Sequence, residues 1–268
     1  MSIALYPRRH HSVALRGATA YRPILVALGA ALVAAALPLR AQHVPGGGKG
    51  FRYSSPEFSL TLRGGLDRPR ARSDIYDFTT ETLTLSRDDF AALGLHFDLG
   101  LRVAPRAEIV LSAGMAGRER ASEFRKFIDN ESKPIEQRTL LRRSPLSIGV
   151  RYALMPTGEQ VSKLAWVPAR VTPWIGLGGG IIGYKFRQQG DFVNFKTLAV
   201  FNDKFSSYGF APMGYGSLGA DWSLSARSAL VGDVRYTASR ARLSSAFKGF
   251  DRIDLSGVAA TMGISYRY

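Results

Sequence analysis

Residues 93–103, LGLHFDLGLRV, alternate without a break. Leu93, Leu95, Phe97, Leu99, Leu101 and Val103 occupy every odd position, while Gly94, His96, Asp98, Gly100 and Arg102 occupy the even ones. Side chains of an extended strand project to opposite faces with a period of two, so one face of this segment is wholly apolar and the other carries three ionisable groups. A soluble sandwich would use those faces as core and wet surface. A membrane barrel would use them as lipid face and polar lumen.

The pattern recurs along the chain. Residues 57–66 set Phe58, Leu60, Leu62 and Leu66 on one face, and residues 107–117 do so with Ile109, Leu111, Ala113 and Met115. Residues 145–156 alternate Leu146, Ile148, Val150, Tyr152 and Leu154 with small residues and Arg151. Segments at 170–187, 208–221, 228–238 and 254–268 complete a set of eight. In the fifth, Gly178, Gly179 and Gly180 blur the phase and predict a bulge or a close backbone approach.

The connections separate the two readings. Long gaps at 67–92, 118–144, 188–207 and 239–253 alternate with shorter ones at 104–106, 156–170 and 223–227. Long loops on one side and short turns on the other are the arrangement of a transmembrane barrel with both chain ends on the turn side. The predicted fold class is therefore all-β, an eight-stranded antiparallel up-and-down transmembrane β-barrel. The middle turn at 156–170 is longer than the pattern calls for.

The N-terminus fits export. The first 41 residues hold five arginines and no acid, with an apolar run between Arg22 and Arg40 and a small residue at Ala41. That is the grammar of a secretory signal peptide cleaved before Gln42. An uncleaved anchor is the alternative, since the run approaches the length of a spanning helix. The expected organisation is residues 1–41 as signal peptide, 42–56 as a flexible segment and 57–268 as the barrel. There is no cysteine, which excludes disulfides, thiolate metal sites and a lipidated N-terminal cysteine. Without the leader's five arginines, 31 of the 36 Lys and Arg remain against 21 Asp and Glu, a net charge near +10. In an exported chain, that basic surface points to anionic lipid phosphate rather than to nucleic acid.

At the other end, residues 261–268 read TMGISYRY. Thr261, Gly263, Tyr266 and Tyr268 resemble the C-terminal signal that Gram-negative outer-membrane barrels present to the barrel-assembly machinery: polar, any, glycine, two of any kind, aromatic, any, terminal aromatic. A last strand with an open edge must pair with the first to close the barrel. With the leader and the eight alternating strands, residues 57–268 resemble the eight-stranded outer-membrane β-barrel superfamily, the OmpA/OmpX/OmpW-like porin-fold group. The resemblance implies an outer-membrane location in a Gram-negative bacterium, a monomer, and contact with the assembly machinery and with outer-membrane lipid. It does not choose among adhesin, channel, anchor and enzyme.

The polar faces nominate a lumen network of His96, Asp98, Arg102, Glu108, Arg151, Asp233 and Arg235, with Lys185 assigned to the same interior. Eight strands enclose an interior that side chains fill, so opposite charges there are expected to form a paired plug; an ion path is the alternative. Export leaves only His43 and His96 as histidines, and no His–Ser pair appears in the later strands, so catalysis, a metal site and a cofactor are not expected. The second long loop mixes arginines with acids and is open to continuing as a hairpin above the membrane; it offers Arg118, Arg120, Arg138 and Arg142 as lipopolysaccharide contacts through their guanidinium forks, against a self-paired solvated loop. The third carries Phe192, Phe195, Phe201 and Phe205 and is expected either to fold on its own small core or to cover the mouth. The expected function is a small, non-enzymatic outer-membrane protein with a structural or surface-interaction role. A narrow channel for small or hydrophobic solutes is the alternative, and a lipid-modifying enzyme the third reading.

Overall fold

The computed structural model describes residues 52–128, 132–162, 165–195 and 197–268. The expected signal peptide, and the expected flexible segment as far as Phe51, lie outside them. The strands are β1 (Phe58–Pro69), β2 (Ala92–Ala104), β3 (Ala107–Ile128), β4 (Pro134–Ala153), β5 (Gly158–Ser162), β6 (Ala165–Pro168), β7 (Val171–Val193), β8 (Val200–Ser223), β9 (Ser228–Ala241), β10 (Ile253–Asp254) and β11 (Gly257–Arg267). Helix α1 spans Asp74–Thr82, and two short 3₁₀ turns cover Arg87–Phe90 and Ser245–Phe247.

Eight strands form a ring in the order β1-β2-β3-β4-β7-β8-β9-β11, each antiparallel to its neighbours. Pairing of β11 with β1, from Ser59 opposite Arg267 to Pro69 opposite Gly257, closes it. The Tyr268 carbonyl accepts from the Glu57 amide, and the Tyr268 amide donates to Phe58. Closure leaves the long strands without a free edge along this seam.

Alternation sorts the side chains as the sequence predicts. Leu62, Leu93, Met115, Ile148, Leu177, Phe210, Val234 and Met262, one from each ring strand, point outward and stay exposed, Leu93 at 82% and Leu177 at 73%. An apolar girdle of this extent is untenable in water and belongs in hydrocarbon. Aromatic residues rim it near the turn end (Phe58, Tyr152, Trp222, Tyr266, Tyr268), and Tyr208 and Phe210 rim it near the loop end.

Three differences from the sequence reading, and one choice it left open, have local causes. The third long loop, like the hairpin open to the second, is largely strand: β3 and β4 pair up to Ile128 and Pro134, and β7 and β8 pair up to Val193 and Val200. There is no bulge at Gly178–Gly180, since β7 keeps one register with β4 and with β8 throughout. The glycines there answer a close approach instead: a Cβ on Gly178 would meet the Ile148 carbonyl and the Tyr215 ring. The long middle turn folds into the β5–β6 hairpin. Arg52, inside the stretch expected to be flexible, exchanges two backbone hydrogen bonds with Trp166 of that hairpin, and its guanidinium donates to the Arg267 carbonyl at 2.6 Å.

Candidate functional site

The lumen has two tiers. Toward the turn end it is ionic. Arg63 of β1, at 2% exposure, sits between two carboxylates: its Nη2 lies 2.6 Å from Asp98 of β2, and its Nη1 pairs with Asp233 of β9. Thr261 of β11 accepts from Arg63 at 3.1 Å and donates to Asp233. Arg151 of β4 lies 3.8 Å from Asp98 and 3.7 Å from Glu108, and Arg102 lies 3.6 Å from Glu108. Nearer the turns, Arg267 pairs with Asp221 at 3.0 Å, and the Trp174 indole donates to the same carboxylate at 2.8 Å.

Aromatic faces pack against two of the guanidiniums. Arg235 stacks 4.3 Å from the centre of the Tyr215 ring and reaches Ser112 at 3.5 Å; Arg151 stacks 4.3 Å from Trp174. For Arg151 the π-face adds to its two carboxylate partners, and for Arg235 it adds to the nearby charges of Asp98 and Asp233. Glycine makes room for the larger groups: a Cβ on Gly114 would strike the His96 imidazole, and one on Gly149 the Tyr215 hydroxyl. The charged members of the lattice thus come from seven of the eight ring strands, Trp174 adds the eighth, and their pairing crosses the lumen.

Toward the loop end the lumen is apolar. Leu141, Ile182, Tyr184, Phe186, Ala211 and Met213 line the wall. Into them the loops insert Ile75 and Tyr76 from α1, Phe90 and Phe247 from the two 3₁₀ turns, and Ile253 and Leu255 before β11. Tyr76 meets Phe90 and Phe186 edge-on with centroids 5.0 and 6.0 Å apart, and Phe186 meets Phe247 at 5.5 Å. Helix α1 starts with Asp74 and Asp77 in its first turn, where the helix dipole favours acids. Polar ties fix this stopper to the wall. Arg143 donates to the Leu255 carbonyl at 2.6 Å and pairs with Asp67, and Gln188 donates to Thr79 at 3.2 Å. Burial raises the Tyr76 hydroxyl well above the ordinary phenol range.

Every residue nominated for the lumen network except Lys185 points inward. Lys185 lies on the odd, outward face of β7, opposite Arg142 and Tyr208. The blurred glycine phase concealed this. Arg63, Arg143, Asp67, Asp221 and Arg267 were not nominated, although Arg63 and Arg267 stand in polar phase with their strands. Of the four arginines offered to lipopolysaccharide, Arg118 donates to the Ala91 carbonyl at 3.2 Å and Arg120 lies 3.5 Å from Asp89, so both are turned to the first loop. Arg138 and Arg142 face outward. In the third loop, Phe192 and Phe205 meet at 4.8 Å and Phe205 reaches Phe247, so these rings extend the stopper.

No protein-family model and no curated protein matches the sequence. Solved structures resemble it in fold. Neisserial surface protein A (NspA) is 9% identical over 79% of this chain and 96% of its own, with a TM-score of 0.41. Ail, the attachment invasion locus protein of Yersinia pestis, is 11% identical over 79% and 99%, with a TM-score of 0.40. Outer membrane protein W of E. coli is 12% identical over 81% and 100%, with a TM-score of 0.32. The assignment of this chain as an eight-stranded barrel rests on its own strand ring.

Proposed function

We propose that this chain is a sealed outer-membrane barrel, exported by its N-terminal leader, that acts through its loop end in a structural or surface-interaction role and catalyses no reaction. The observation that carries the reading is the double seal. An ionic lattice crosses one half of the lumen, above a small cavity at the turn end lined by Arg102, Glu108, Arg151 and Arg267, and an apolar stopper of loop and wall side chains fills the other half. A water path would have to part both, and breaking a buried ion pair leaves an uncompensated charge. The loop end, built on strands that continue well past the girdle, is the natural working surface. It presents Ile128, Phe195, Leu198 and Val200 to the exterior. His96, the histidine of the described residues, is enclosed in the lattice rather than placed at the lipid face or rim, which supports a non-enzymatic role.

Single-channel recording of the refolded chain in a planar bilayer tests this. Protease-protected insertion with no open level is the expected result. A reproducible open level that shifts on Asp233→Ala would overturn the sealed lumen and restore the channel reading.

A further inference from the structure

The outward wall of β4, β7 and β8 carries a cationic patch directly above the girdle. Arg142 stands opposite Lys185, and Lys185 opposite Tyr208; one step further from the girdle Arg187 stands between Leu140 and Ser206. Beyond them, Arg138 faces Gln189 and Gln189 faces Lys204. These five side chains occupy three successive outward levels, roughly 13 Å of strand. Lys185 lies within electrostatic reach of Arg142, Arg187 and Lys204. At those levels the acid of the wall is Glu119, engaged by Arg187 at 2.7 Å. Glu123, Glu136 and Asp191 lie one level beyond. The patch therefore carries an excess of four positive charges at the place where the apolar girdle ends, with Phe210 and Ile181 exposed just below.

Like charges gathered on one wall repel, and here the protein supplies too few acids to offset them. Cations set at the top of a lipid-facing surface match an amphiphile with apolar chains below and an anion above. We infer that this wall is a binding site for the phosphorylated headgroup of an outer-leaflet glycolipid, whose acyl chains lie along Phe210 and Ile181. Arg142, Lys185 and Arg187 hold the phosphate nearest the girdle, the arginines through paired N–H donors and the lysine as a point charge. Arg138 and Lys204 hold a second anionic group farther out. The inference rests on the membrane-barrel reading; to the lipopolysaccharide contact expected of Arg138 and Arg142 it adds Lys185, Arg187 and Lys204 and a location on one wall.

The test is native mass spectrometry of the refolded chain in neutral maltoside micelles. It is titrated with bisphosphorylated lipid A, with the same lipid dephosphorylated, and with inorganic phosphate. Binding of the first alone is expected. The triple variant R142Q/K185Q/R187Q should weaken it on the order of a hundredfold, about fivefold per cation. R118Q/R120Q, turned to the first loop, should bind as the parent does. Equal affinity of the triple variant, or of the dephosphorylated lipid, overturns the inference; inorganic phosphate binding as tightly as the lipid overturns the lipid as its source. Heat-modifiable gel mobility monitors folding, and Lys185→Gln, expected to cost about fivefold, replaces the triple variant if that fails to fold. A parent chain that does not refold in micelles contradicts the membrane reading instead.

Discussion

Arg63 and Asp98, each with a side chain only 1% exposed, meet at 2.6 Å across the first two strands, and the other arm of Arg63 reaches Asp233 near the seam with the last. One guanidinium thereby links the beginning and the end of the barrel from inside. Gly263 lies directly opposite Arg63 in the closing pair, and a Cβ there would collide with the Leu62 carbonyl and the Arg63 backbone. Thr261 hydrogen-bonds both Arg63 and Asp233. Two positions of the terminal pattern are thus also parts of the lumen lattice.

Removing Arg63 as Arg63→Ala should destabilise the barrel by about 3–5 kcal/mol, because Asp98 and Asp233 are left buried and short of their partner. Denaturant unfolding in lipid vesicles measures this. Loss of less than about 1 kcal/mol would mean that the lattice contributes little to stability.

Gly263→Val should impair closure between β1 and β11, and deletion of Tyr268 should remove both an aromatic of the rim and the backbone bonds to Glu57 and Phe58. Both variants are expected to reduce heat-modifiable, membrane-inserted protein. Normal levels of either would contradict its assigned part in closure.

Leu177→Arg places a charge on the girdle at a site 73% exposed. A cost of about 2–4 kcal/mol is expected near the bilayer midplane. A neutral result in bilayers would contradict the lipid-facing assignment.

Phe186→Ala removes a fully buried ring from the centre of the stopper, at an expected cost of about 3–5 kcal/mol. It should leave the bilayer electrically silent, since the ion pairs of the tier below still cross the lumen. Conductance from this variant alone would show that the apolar tier is the whole seal.

The first loop should loosen in acid. Asp89 closes a capping box: hydrogen bonds from the Ser86 backbone and side chain hold its carboxyl below the ordinary range. A depressed folded-state value stabilises the loop above the unfolded value near about 4 and loses that contribution as pH falls through the folded one. The protection of residues 86–90 against hydrogen exchange, taken relative to the intrinsic rate at each pH, should fall on acidification below about pH 4. In Asp89→Asn that protection should already be lower at neutral pH and change less with acid.

Period-two alternation determined the strand number, the outward face and most of the inward charges, because each choice depends only on which neighbours along the chain share a face. His96, Asp98, Arg151, Asp233 and Arg235 were legible for that reason, and Arg63 stood in the same phase, readable but unread. A hairpin was open to the second loop, but spacing alone could not tell that the third continues as paired strands, since its phenylalanines fit a separate small core or a cover over the mouth equally well. Nor could it place Lys185, where glycines erase the phase. The tertiary structure alone decided who pairs with whom across the lumen, how loop residues as distant as Tyr76 and Phe247 meet on Phe186, and which arginines of one loop turn outward. Those outcomes depend on the closed ring, which brings together side chains that no local pattern relates.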